Sequence, residues 1–252
     1  MQPGGTAPRR VVVTGGATNI GRAITTAFVA AGARVAVGQP DPAVAASLVR
    51  ESGGRVFARP VDVGDGARCR EFIDTAADRL GGLDVLVNNA AITGEGARWL
   101  PEIDPAYAER MWRVNVGGVL FCAQAAVAHL RRAGGGAIVN LSSTNALRPQ
   151  NGAMVYAATK AAVASVTRSL ARELAADGIR VVAVAPGDIV TDRTAPLVAG
   201  AGPGGVHADV LGRTPLGRGR PADVAATVLH LCSDGARFVT GCTWLVDGGL
   251  SA

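Results

Sequence analysis

Two kinds of apolar pattern alternate along this chain. Short, nearly unbroken runs rich in β-branched residues predict strands at 10–14 (RVVVT), 34–38 (RVAVG), 55–59, 83–88 (LDVLVN), 136–142 (GAIVNLS), 179–185 (IRVVAVA) and 242–246 (CTWLV). Between them, longer Ala-rich stretches predict amphipathic helices at about 19–31, 42–52, 66–80, 105–133, 154–176 and 221–233. Strands that are apolar at successive positions must be covered on both faces, which is the condition of a parallel sheet. One stretch breaks the alternation. In "DRTAPLVAGAGPGGVHADVLGR", 192–213, Gly and Pro interrupt any period, and a connection this long inside a compact domain is expected to be a functional lid or a disordered segment.

Strand, helix and parallel strand in succession, joined by right-handed crossovers, put helices on both faces of one sheet. The expected architecture is therefore α/β: a single doubly wound, Rossmann-type domain over 10–252, with a seven-stranded parallel sheet, following a flexible leader at 1–9. Composition agrees, since 48% hydrophobic and 18% charged residues in 252 suffice for a substantial core. The apolar runs are short and fall below the roughly 20 residues of a membrane span, and the start lacks the apolar segment of a signal peptide. A cytoplasmic protein is expected. Cys69, Cys122, Cys232 and Cys242 form no CxxC or Cys/His cluster, so buried packing thiols are expected and no metal site. The net charge of +5 comes from scattered arginines with only 4% aromatics, which argues against nucleic acid and leaves room for a phosphorylated cofactor or acidic carrier.

After the first strand the chain reads "TGGATNIGRAI", Thr14 to Ile24. Closely spaced glycines at a strand-to-helix turn leave backbone N–H groups open at a helix N-terminus, a cradle for pyrophosphate. The TGxxxGxG spacing resembles the fingerprint of the short-chain dehydrogenase/reductase family, with Asn19 in place of the usual middle Gly. Asn tolerates a left-handed backbone, so the turn can form. Further motifs follow in family order: Asp62 with Val63; "NNAA" at 88–91, with Ala91 for Gly; "PGDIVT" at 186–191; and a tail, "PLGRGRPADVAATVLHLCSDGARFVTGCTWLVDGG", that matches along its length. The resemblance spans about 10–249. It implies a nicotinamide cofactor held by Gly15, Thr18, Asn19, Ile20, Gly21, Gln39, Asp62, Val63, Asn89, Ala90, Tyr156, Lys160, Pro186, Gly187, Ile189 and Thr191. In it Asp62 meets the adenine amino group, and Ile189 and Thr191 hold the nicotinamide carboxamide. One departure is Val182, where the family often has Asn.

Choice between NAD and NADP in this fold is made just after the second strand, here "VGQPDP". Gln39, Pro40 and Asp41 offer no base to neutralise a 2′-phosphate, Asp41 would repel it, and Thr18 is uncharged, so NAD is expected in preference to NADP.

The reactive stretch is "NLSSTNALRPQNGAMVYAATK". Its Lys160 is the single lysine among 25 basic Lys and Arg side chains. Tyr156 and Lys160, at i and i+4, share a helix face. Moving hydride at a carbonyl carbon requires moving a proton at its oxygen, and a Tyr hydroxyl can do so if its pKa falls from about 10 toward neutrality, roughly 4 kcal/mol of preferential phenolate stabilisation. The family resemblance gives Tyr156 as general acid/base, Lys160 as the cation that lowers its pKa and binds the ribose hydroxyls, Ser143 as the partner of the substrate oxygen, and Asn115 as the link from lysine to a relay water. Thr93, Glu95, Trp99, Thr144, Arg148, Gln150, Met154 and Asp188 could touch substrate, whereas His129, His207 and His230 have no motif around them.

The expected function is NAD(P)-dependent hydride transfer between nicotinamide and a secondary alcohol or ketone, in a homotetramer assembled as the family usually does through the helices at 105–133 and 154–176 and the C-terminal segment. An alternative is a 3-oxoacyl-carrier-protein reductase whose acidic carrier docks on arginines such as Arg131 and Arg132. An alternative of another class is a cofactor-binding sensor or scaffold without turnover, with Asn19 and Ala91 as its symptoms.

Overall fold

The computed structural model describes residues 9–93, 98–192, 194 and 214–252. Seven parallel strands form one sheet: β1 (Arg10–Thr14), β2 (Arg34–Gln39), β3 (Val56–Pro60), β4 (Val85–Asn88), β5 (Gly136–Leu141), β6 (Ile179–Pro186) and β7 (Thr243–Val246). Their order is β3-β2-β1-β4-β5-β6-β7, so the winding reverses between β1 and β4. The helices among the described residues are α1 (Asn19–Ala30), α2 (Ala46–Glu51), α3 (Gly66–Leu80), α4 (Pro105–Trp112), α5 (Gly118–Arg132), α6 (Met154–Leu174) and α7 (Pro221–Leu231).

Alternation within each strand divides the core into two layers. Val11 and Val13 pack with Ile24 and Phe28 of α1 and Val224 and Val228 of α7, while Val12, between them, packs with Ile73 of α3, Cys122 of α5 and Leu174 of α6. Element ends follow local chemistry. Asp65 caps α3 by accepting from Ala67 and Arg68 N–H at 2.9 and 3.1 Å, and Gly81 closes it at φ 80°. Pro105 and Pro221 occupy the first positions of α4 and α7, where a missing N–H costs nothing.

The expected helix at 105–133 is interrupted. Arg113–Gly117 forms a π-turn between α4 and α5, with Asn115 buried in it. A π-turn inserts one extra residue, which re-aims the helix and frequently marks a functional site. The same helical run, Pro105–Arg132, is long and apolar enough by composition to cross a membrane, but half of its most apolar window is buried inside the domain, which accounts for that apolarity.

Arginines close helix ends along the N-terminal edge of the sheet. Arg34 donates to Arg79 O and Leu80 O at the end of α3 (3.0 and 3.2 Å), Arg10 to Gly81 O (2.6 Å), and Arg9 to Cys232 O after α7. Cations there meet the negative ends of the helix dipoles, so part of the basic excess has a structural use. Arg9 is thereby tied down, and its carbonyl accepts from Arg34 N–H, so it is an extension of β1 and does not belong to a flexible leader. Residues 1–8 of the expected leader lie outside the described residues. The four cysteines are free; burial pushes the Cys232 thiol up to about 12, and a hydrogen bond with Cys69, then burial, raises Cys122 well above its ordinary value.

Candidate active site

A cleft of about 960 Å³ runs along the C-terminal ends of the strands, across the point where the strand order reverses. Its size suits a dinucleotide and a small substrate together. One wall is the glycine turn. Gly15, at φ 63°, turns the chain out of β1, and a Cβ on Gly21 would collide with Gly15 O and lie 2.6 Å from Asn89 Nδ2. Asn19 adopts φ 47°, the left-handed conformation expected of the glycine it replaces. Asn89 locks the turn from β4, donating through Nδ2 to Thr14 O and Gly15 O at 3.0 and 2.9 Å, while Thr14 Oγ1 accepts from the N–H of Asn89 and of Ala90, each at 3.1 Å. Asn88 donates to Asn140 of β5 at 2.9 Å and Asn140 to Thr167 of α6 at 3.0 Å. The "NNAA" segment therefore ties the centre of the sheet to the turn.

Gln39, Asp62 and Val63 line the far end of the cleft. The Gln39 side-chain oxygen Oε1 is buried and lacks a hydrogen-bond partner among the described residues, an unused acceptor in a residue that lines the cleft. Asp41, two residues on, caps a 3₁₀ turn by accepting from Ala43 N–H at 2.9 Å. The nearby base, Arg22, is committed to Ser47 and Glu51 at 3.0 and 2.8 Å. Asp62 is an exposed Asx-turn residue whose Oδ1 accepts from Gly64 N–H at 2.9 Å. Orphaned acceptor, open glycine cradle and cleft volume together fit a nicotinamide dinucleotide.

The opposite wall is Pro186–Thr191, which leaves β6 over the cleft. Gly187 passes so close to β7 that a Cβ would lie 2.7 Å from Asp247 Cβ. Asp188 was a candidate substrate contact, but its carboxylate is engaged by Arg218, Nε to Oδ2 at 2.7 Å and Nη2 to Oδ1 at 2.9 Å, with both side chains nearly buried. Beside this fork, Val190 N–H donates to Gly219 O at 2.8 Å and Gly219 N–H to Asp188 O at 3.0 Å. The two ends of the 192–213 segment are thus clamped, which sequence reading missed because the partners are 30 residues apart. Residue 193 and residues 195–213 lie outside the described residues, as do Glu95 and His207.

Between the walls stand Ser143, Tyr156 and Lys160. Lys160 is buried on α6 with its ammonium donating to Leu141 O of β5 at 2.7 Å and standing 5.6 Å from the centre of the Tyr156 ring. Burial lowers its pKa from 10.5 to about 8. Ser142, not singled out from sequence, donates to the Lys160 carbonyl at 2.9 Å and fixes this turn of α6 against β5. Ser143, at the end of β5, accepts from Asn145 N–H at 3.2 Å. Asn115 stands behind the cleft: its Oδ1 accepts from Ile92 N–H at 2.7 Å, and its Nδ2 donates to Ile92 O at 2.8 Å and to Thr159 Oγ1 at 3.1 Å. The π-turn is what aims this side chain inward, joining the loop after β4 to the residue next to Lys160. Of the other substrate candidates, Thr93, Thr144 and Gln150 line the cleft, with Arg110, Asn145 and Asn151 added by the structure; Trp99, Arg148 and Met154 lie outside its lining. His129 pairs with Asp74 at 2.6 Å between α5 and α3, remote from the chemistry.

A doubly wound parallel sheet with a glycine turn at its switch point and a Tyr–Lys pair in the cleft defines a nucleotide-dependent oxidoreductase. A family model described as enoyl-(acyl carrier protein) reductase matches residues 15–251. The cis-4-hydroxycyclohexanecarboxylate dehydrogenase of Sinomonas cyclohexanicum is 42% identical over 249 residues, 98% of each chain, and the 3-oxoacyl-[acyl-carrier-protein] reductase of Thermotoga maritima is 37% identical over 243 residues, 95% of this chain and 96% of that one. The crystal structure of a short-chain dehydrogenase from Burkholderia cenocepacia in complex with NADP superposes with a TM-score of 0.87 at 36% identity, covering 97% of this chain and 98% of that one. The chain belongs to the short-chain dehydrogenase/reductase family and is an NAD(P)-dependent oxidoreductase.

Proposed function

We propose that the protein interconverts a secondary alcohol and a ketone, with Tyr156 as general acid/base. The observation that carries this reading is the convergence of Ser143, Tyr156 and buried Lys160 on the one cleft that also contains the glycine turn. When bound, the cofactor supplies or accepts hydride at nicotinamide C4. In the reductive direction the Tyr156 hydroxyl gives its proton to the substrate oxygen as the carbonyl carbon gains hydride, leaving a phenolate that is reprotonated from solvent. Ser143 Oγ orients and polarises the same oxygen. Lys160 places a positive charge beside the phenolate in a dry setting, where it stabilises that anion more than it would in water, and with the cofactor bound it would hold the ribose hydroxyls. Asn115 positions α6 through Thr159.

NAD is the preferred cofactor in this proposal, although the Burkholderia relative was crystallised with NADP. Gln39 Oε1 can accept a hydrogen bond from a ribose 2′-hydroxyl, Asp41 would repel a 2′-phosphate, and Arg22 is already paired. Titration with NADH and NADPH, followed by fluorescence, is expected to show at least about tenfold tighter NADH binding. Tighter NADPH binding would reverse the assignment.

The Thermotoga relative keeps a carrier-protein substrate in view. In this chain Arg131 pairs with Asp177 at 2.8 Å and Arg132 contacts His129, and both arginines remain exposed at the surface. Acyl-carrier thioesters turned over much faster than simple ketones would favour the carrier reading. Homotetramer assembly is also proposed, supported by exposed apolar side chains on α4 and α5 (Trp112, Leu120), on the edge strand β7 (Trp244, Leu245) and at Phe238.

A further inference from the structure

Asn19 is the one non-glycine residue with positive φ among the described residues, at 47°. Glycine would take this conformation without the steric cost that a Cβ brings, of order 1 kcal/mol. A residue retained against that cost invites a search for what its side chain touches. Asn19 Oδ1 accepts the N–H of Asp192 at 3.1 Å, across 173 positions of the chain. Asp192 directly follows the shelf at Ile189–Thr191, which is knotted internally: Thr194 Oγ1 donates to Ile189 O at 2.9 Å and accepts from Thr191 N–H at 2.8 Å. A glycine at 19 could form the turn, but nothing on it could reach the shelf.

We infer that Asn19 is a positioning residue that fastens the pyrophosphate turn at the start of α1 to the Ile189–Thr191 shelf, so that the two walls of the cofactor cleft are held in register. The inference rests on the proposed reading of that shelf as the seat of the nicotinamide carboxamide. It follows that Asn19 matters most for the nicotinamide half of the cofactor, although it sits in the turn that would cradle the phosphates. Among the described residues this tie is one hydrogen bond, so the effect should be modest and selective.

The test compares NADH with ADP-ribose, which lacks nicotinamide, in calorimetric binding to the natural protein and to Asn19→Gly and Asn19→Asp. Asn19→Gly keeps the left-handed turn and removes the tie; it should bind ADP-ribose within about twofold of the natural protein and lose about three- to tenfold for NADH. Asn19→Asp retains an acceptor but adds a negative charge near the phosphates, so both ligands should weaken together and their affinity ratio should return to the natural one. Equal losses for both ligands in Asn19→Gly, or no loss for NADH, would overturn the inference, as would an Asn19→Asp ratio equal to that of Asn19→Gly. Failure of both ligands to bind the natural protein would remove the cofactor reading itself and this inference with it, a result distinguishable because it appears before any substitution is made.

Discussion

A Tyr156→Phe protein is expected to bind NADH as the natural chain does and to reduce a ketone about 10²–10⁴-fold more slowly, the range that a positioned general acid contributes. Phenylalanine keeps the half-buried ring on α6 beside which the Lys160 ammonium stands, 5.6 Å from its centre. What disappears is the hydroxyl that the proposed mechanism uses to protonate the substrate oxygen. The loss should therefore fall on kcat, with little change in cofactor affinity, as measured by stopped-flow NADH oxidation and by direct titration. A fall in affinity of similar size would instead mean that the hydroxyl holds the cofactor and does no chemistry.

Substitution of Lys160 should separate activity from stability. Its ammonium is fully buried, with Leu141 O its hydrogen-bond acceptor at 2.7 Å, and burial brings its pKa down to about 8. The folded chain thus carries this charge at a cost whenever the pH lies below about 8. In the unfolded chain the amine titrates near 10.5, so between about 8 and 10.5 the unfolded state binds a proton that the folded state does not, and stability rises with pH through that window. Lys160→Met removes the buried charge while leaving Leu141 O without its donor, a smaller cost. The variant should be more stable than the natural protein by about 2 kcal/mol at pH 7, and the difference should close and then reverse as the pH rises toward 10.5, where only the cost at Leu141 O remains. Its turnover should fall at least about 100-fold. Lys160→Arg should also lose most activity, because a planar guanidinium has a different bulk and donor geometry. Chemical denaturation of the empty protein at several pH values, with turnover assayed in parallel, checks all three outcomes.

These expectations rest on features that were unequally legible in the sequence. All seven strands stand within two residues of their predicted bounds, because runs such as "RVVVT" and "IRVVAVA" are apolar at nearly every position and are read by one rule. The glycine turn, Tyr156 and Lys160 were legible because their geometry depends on local spacing: a strand-to-helix turn, and two residues one helical turn apart. What escaped depends on contacts between distant segments. The π-turn at Arg113–Gly117 carries no periodic signature, since one inserted residue in a long apolar helix leaves the pattern readable as helix. Asp188 reads as a free carboxylate in a loop until Arg218 is folded beside it. Asn19 reads as a defect in a fingerprint, and only its bond to Asp192 shows a use for its side chain. Gln39 illustrates the middle case: its position was readable from the motif order, but its orphaned oxygen required the packing around it.

The central claim, reversible hydride transfer with Tyr156 moving the proton, is tested most directly by following the label from NADH deuterated at nicotinamide C4 into a panel of ketones. The account predicts that the natural protein delivers one deuterium to the carbinol carbon of the product for each NADH oxidised, and that Tyr156→Phe, with NADH bound, delivers it at least about 100-fold more slowly. Label transfer at the natural rate by Tyr156→Phe would contradict the acid/base assignment, and bound NADH that is never oxidised by any member of the panel would contradict the reading of the protein as an alcohol–ketone oxidoreductase.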